Sequence, residues 1–120
     1  MKIEKEVEDV RGKIFFLSSN NKKVHLLELR KGYSRGGHYH KIPTKHIVIL
    51  GKIEYRGKDI NTGRERIQVF LANEIIDTPS KEAHLLTALE DSLFLEVFEK
   101  EYEDTNFPEY RYVVESKIKN

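Results

Sequence analysis

The sequence predicts an all-β fold, a sandwich or barrel of short strands. Three observations carry this. Apolar, β-branched runs recur at intervals of roughly ten residues, the strand spacing of such folds. Polar, Gly- or Pro-containing turn signals separate them. No long segment shows a helical period.

In chain order, residues 1–13 are charged and weakly periodic, with Val7 and Val10 able to anchor a short first strand. Residues 13–17 read as a strand closed by the polar turn at 18–21, and residues 24–30 as a second strand of mixed faces. A glycine-rich stretch follows. Pro43 lacks the N–H that a central strand needs, so 41–44 reads as a turn. Residues 45–50 are β-branched and read as a buried strand, and 53–56 stay extended beyond a bend at Gly51. Asn61-Thr62-Gly63 is a hairpin turn leading into 66–71. Residues 74–77 run into Thr78-Pro79, and 84–89 and 93–98 are two further strands about a turn at 90–92. In the tail, residues 110–114 read as a final strand or a segment packed across the barrel or a partner.

A chain of 120 residues suffices for one domain with one core, here expected over 1–120 with the barrel at about 14–98 and an extension at 99–120. Lys and Arg total 21 against 20 Asp and Glu, so no basic field draws the chain to nucleic acid or anionic lipid. The absence of cysteine excludes a disulfide framework and a thiolate nucleophile or ligand. The charged start lacks the apolar core of a signal peptide, and no apolar run is long enough to span a bilayer. These features lead to the expectation of a cytoplasmic protein, and the Lys/Glu richness without Cys or Trp leans toward a thermophile.

The stretch from Gly32 to His40 packs three glycines and two histidines into nine residues. His38 and His40 are spaced i, i+2, so in an extended chain both imidazoles face the same way. Such a pair can share a metal ion or handle one proton. The glycines suit a turn and admit the close approach of another backbone or a ligand. If 45–50 is a regular strand, Thr44, His46, Val48 and Leu50 share a face. His25 lies on a strand without a motif and reads as structural or surface.

The spacing resembles the cupin superfamily, whose first motif is G-x5-H-x-H-x3,4-E-x6-G; Gly32, His38, His40 and Gly51 fall in register, with Thr44 where the family has glutamate. In the second motif, G-x5-P-x-G-x2-H-x3-N, Pro79 and His84 match, while Asn73, Lys81 and Ala88 replace Gly, Gly and Asn. The resemblance covers roughly 14–98 and implies a double-stranded β-barrel of jelly-roll type. It carries the family's metal ligands onto His38, His40 and His84 but leaves the glutamate without a counterpart. Three neutral histidines suit a divalent transition metal such as Zn, Fe or Ni. His46, expected to face the interior, could replace the glutamate, act as acid/base with His38 and His40, hydrogen-bond a ligand, or be a satisfied buried histidine.

The stretch Arg35-Gly36-Gly37-His38-Tyr39-His40 is also similar to cupins that modify nucleotide-linked sugars, among them 3,4-ketoisomerases and the C-terminal domains of capsular-sugar reductases. In the ketoisomerases the H-x-H pair moves protons between sugar carbons without metal. The resemblance thus implies a metal-binding small-molecule enzyme of the isomerase or oxygenase type. A metal-free histidine ketoisomerase and a non-catalytic ligand-binding cupin stand as the alternatives. Arg35 reads as a solvated loop residue or as a diphosphate clamp. The expected partners are a small-molecule ligand, carbohydrate-like in the nucleotide-sugar reading, and a second copy of the chain, joined through open sheet edges at the first strands and residues 102–112.

Overall fold

The computed structural model describes residues 1–20, 22–98 and 103–118. Two antiparallel sheets face one another. The first carries β1 (Lys2–Asp9), β2 (Gly12–Ser19), β3 (Lys22–Leu29), β5 (Thr44–Leu50), β8 (Ile75–Thr78) and β10 (Ser92–Phe98), in the order β1-β2-β3-β10-β5-β8. The second carries β4 (Ser34–Tyr39), β6 (Lys52–Asp59), β7 (Glu65–Leu71), β9 (Glu82–Ala88) and β11 (Thr105–Asn106), in the order β11-β4-β9-β6-β7. The arrangement is the all-β jelly roll that the sequence predicts, built of two facing sheets.

Strand alternation sorts the core. On β5, Thr44, His46 and Val48 are buried while Lys45 is exposed; Leu50, placed on the same face by sequence, is 59% exposed at the strand end. On β9, Leu86 and Ala88 join Leu27, Leu29, Val48, Ile53, Tyr55, Phe70, Ile76 and Phe94 between the sheets. Each fully buried side chain of this size contributes roughly 1.5–3 kcal/mol.

Asn73 and Lys81, which replace motif glycines, keep the left-handed backbone a glycine would take, at φ 73° and 61°. The backbone of the second motif is therefore retained where its residues are not.

The tail differs from the sequence expectation. Residues 110–114 form no strand; they lie in helix α1 (Pro108–Ile118). Pro108 opens it at the position where a missing N–H costs nothing, with Glu109 in the first turn and Lys117 in the last. Tyr110 and Val114, four apart, pack on Ala83 and Leu85 on the outer face of β9. The aromatic tail thus covers its own sheet, and Tyr102 lies outside the described residues. β1 is exposed along its whole length.

Helix α1 also explains the paired glycines. The β4–β9 register slips between Gly36 and His38, a bulge that adds a residue to β4. Arg35 pairs with Leu86, and His38 with His84. In a regular strand, residues three apart face opposite ways; the extra residue turns both inward. Gly37 has φ 82°, and a Cβ there would meet the Arg111 backbone at 2.8–2.9 Å. Gly37→Ala is expected to cost at least 1–3 kcal/mol. Chemical denaturation checks it, and an unchanged midpoint contradicts the close approach.

Candidate metal centre and its cavity

Glu96 organises the interior of the first sheet. It lies opposite His25 of β3 on one side and His46 of β5 on the other. His25 Nδ1 lies 3.2 Å from Glu96 Oε1, and His46 Nε2 lies 2.9 Å from Oε2. Burial works to raise the Glu96 carboxyl, but these two hydrogen bonds, together with the charge interactions of His46 and His84, outweigh it and hold it well below the usual carboxylate range. An ionised carboxylate only accepts, so both histidine nitrogens donate. In its neutral form His46 then keeps a lone pair on Nδ1, an atom that is buried with no hydrogen-bond partner among the described residues.

The second sheet supplies His84, opposite His46 across the gap, with ring centroids 5.6 Å apart. His40 stacks on His84 at 5.3 Å. Burial, reinforced by the nearby His46, pushes the His84 imidazole down to about 3, so it stays neutral and able to ligate. Its Nδ1 is likewise buried without a partner. His40, His84 and Glu96 each offer a donor atom within 4.8 Å of the others. This buried group can hold a metal ion, and two imidazoles with one carboxylate suit Zn²⁺, Mn²⁺ or Fe²⁺. The Nδ1 of His84 fits an occupant that the described residues do not provide.

The resemblance implies His38 as a third ligand. Among the described residues it joins no such donor group. It lines the cavity, and its Nδ1 sits 3.8 Å from the Asp104 carboxylate. Burial lowers its pKa more than Asp104 raises it, so His38 is neutral near pH 7. His40, just beyond the end of β4, has its Nδ1 3.0 Å from the Glu103 carbonyl oxygen. The segment ahead of α1 therefore holds both members of the H-x-H pair.

The cavity beside this cluster measures about 220 Å³. Its lining combines polar groups, among them His25, His38, His46, His84 and Glu96, with apolar ones such as Ile14, Phe16, Leu27, Leu86 and Phe94. His46, whose role the sequence left open, binds Glu96. His25, expected to be structural or surface, holds the other oxygen of the same carboxylate. Arg35, read from sequence as a solvated loop residue or a diphosphate clamp, is only 5% exposed and lines the cavity, because β4 continues as strand through it. Thr44 is buried at 3% exposure, and the carboxylate comes instead from the neighbouring strand. Glu96 itself was not singled out by sequence. Its signal was a charged residue inside the apolar run 93–98, on the same face as Phe94.

The fold is the cupin fold, as comparison with solved structures shows. The capsular polysaccharide assembling protein CapF from Staphylococcus aureus superposes with TM-score 0.72 at 19% identity, over 82% of this chain and 29% of that one. Oxalate decarboxylase from Bacillus subtilis, with Mn(II) centers, superposes with TM-score 0.74 at 22% identity, over 86% of this chain and 30% of that one. The chain thus spans less than a third of the length of either. No family model and no curated protein matches the sequence. No helix among the described residues is long and apolar enough to cross a membrane.

Proposed function

We propose that the protein is a metal-dependent enzyme acting on a small hydroxylated or keto compound, with a sugar or the sugar end of a nucleotide-sugar as the substrate and isomerisation or epimerisation as the reaction. His40, His84 and Glu96 are the ligands in this reading, and His38 is the proton-transfer base. One observation carries it: a buried two-histidine, one-carboxylate group adjoins a cavity large enough for a small molecule. The Mn(II) centers of oxalate decarboxylase support the metal, and the part of CapF in capsular polysaccharide assembly supports the carbohydrate.

A divalent ion at this group would polarise a substrate carbonyl and acidify the neighbouring C–H. The protein's own residues do the rest. His38, neutral and facing the cavity, accepts a proton from carbon at Nδ1 or Nε2 and can return it to an adjacent carbon. Asp104, 3.8 Å away, stabilises the imidazolium so formed. Phe16, Ile14 and Leu86 exclude water where they line the cavity. The exposed edge strand β1 suits pairing with a second copy, so the reading includes a homodimer.

A metal-free version has its own support, because His38 stands apart from the donor group and needs no ion to act as a base. Metal content of the untagged protein, with calorimetry of Zn²⁺, Mn²⁺, Fe²⁺ and Ni²⁺ on stripped protein, decides between them. Binding tighter than millimolar, about −4 kcal/mol, is the expected result. If no ion reaches that, the metal reading is wrong, and proton transfer by His38 that survives chelation takes its place.

A further inference from the structure

We propose that the cavity recognises an oxyanion, a carboxylate or phosphate carried by its small-molecule ligand, with the Arg35 guanidinium as the anchor. The placement of this ligand beside the metal group rests on the function proposed above, but the anion site stands on other residues. Three arginines, Arg11, Arg35 and Arg111, line the cavity. Against them, Glu96 is the one carboxylate among the described lining residues, and both its oxygens are engaged by His25 and His46.

The arginines are not equivalent. Arg11 is paired with Asp9 at 2.7 Å and Arg111 with Glu115 at 3.2 Å. Arg35 is deeply buried and among the described residues forms no ion pair; Asp9, Glu28 and Glu96 favour its charge only through space. Its hydrogen bonds go to backbone carbonyls instead, from Nε to Glu28 O at 2.9 Å and from Nη2 to Gly12 O at 3.4 Å. Those two bonds fix the plane of the guanidinium and leave its Nη1 edge with no partner among the described residues. Burial and the adjacent Arg11 charge together draw its pKa down to about 10, which marks a cation held in place against its own solvation. A planar fork so oriented suits the two oxygens of a carboxylate or phosphate.

The backbone has been bent to put it there. The bulge at Gly36–Gly37 sends Arg35 and His38 into the same cavity, although three residues separate them. At about 3.3 Å per residue they lie roughly 7–10 Å apart along β4. A ligand anchored at Arg35 can therefore reach His38 and the donor group with its other end. The cavity volume is about 220 Å³, at the small end for a ligand site. The ligand is compact: a short acid, a sugar phosphate, or the sugar-phosphate end of a larger molecule that extends outward.

Calorimetry on the whole chain tests this with malonate, inorganic phosphate and glycerol as probes. At least one anion should bind wild type, and at least tenfold more weakly to Arg35→Gln, with glycerol giving no heat in either. Malonate tighter than phosphate assigns a carboxylate, and the reverse a phosphate. Metal affinity should be unchanged in Arg35→Gln, and anion binding should persist in chelated protein; the anion site can thus survive failure of the metal reading. If Arg35→Gln fails to fold, Arg35→Lys keeps the charge without the fork and should show the same weakening. Equal anion affinity in wild type and variant, or no anion binding to wild type, overturns the proposal.

Discussion

Glu96→Gln is expected to lower the affinity for a divalent ion at least 100-fold, since residues that merely support a ligand are worth 10–100-fold. The same change should cost about 1.5–3 kcal/mol of fold stability, the value of a hydrogen bond to a charged group. Both effects have one cause. Glu96 receives an N–H from His25 on one oxygen and from His46 on the other. Glutamine offers one acceptor and one donor, so one histidine must change tautomer or lose its bond. The amide also removes the negative charge from the ligand set. Metal titration and urea unfolding of the same variant read the two losses separately. Retained affinity would remove Glu96 from the ligand set and return its role to holding His25 and His46.

Between pH 7 and pH 5 the metal-free protein should lose about 2 kcal/mol of stability through His84. Burial, with His46 alongside, keeps its folded pKa at about 3 against the ordinary 6.5. Below pH 6.5 the unfolded chain takes up a proton that the folded chain refuses until about pH 3. The unfolded state thus holds more protons across this window, and stability falls with pH at up to about 1.4 kcal/mol per unit. Glu96 acts in the same direction lower down. Its folded pKa lies below the ordinary 4.5, so its contribution is full above that pH and is lost beneath it. Urea midpoints at pH 7, 6 and 5 measure the slope, and His84→Asn should flatten it over this range. A wild-type profile flat from pH 7 to 5 would show that the imidazole titrates in the folded chain.

The strands and the two histidine motifs were legible because each is a local pattern: alternation, turn residues, fixed spacings. The face shared by Thr44, His46 and Val48 followed from the two-residue period alone. What escaped depended on neighbours distant in sequence. Glu96 meets His25 and His46 only because β10 lies between β3 and β5, a strand order that no local pattern encodes. Arg35 was read as a loop residue because three nearby glycines look like a turn; the bulge that turns it inward needs the β9 register to be seen. Helix α1 is 11 residues long, with two buried positions facing the sheet, too few for a clear period, although Pro108 marked its start.

The bonds that complete the H-x-H pair come from late in the chain. Arg111 Nη1 donates to Gly36 O across 75 residues, and His40 meets Glu103 O across 63. At a synthesis rate of roughly 5–20 residues per second, the β4 histidines are made about 4–15 s before Arg111 is made. During that interval the imidazoles exist without the segment that orients them. On the metal reading, ion capture on the nascent chain waits for His84, Glu96 and that segment alike, and a ribosome stalled before residue 103 would display a chain that takes up little metal.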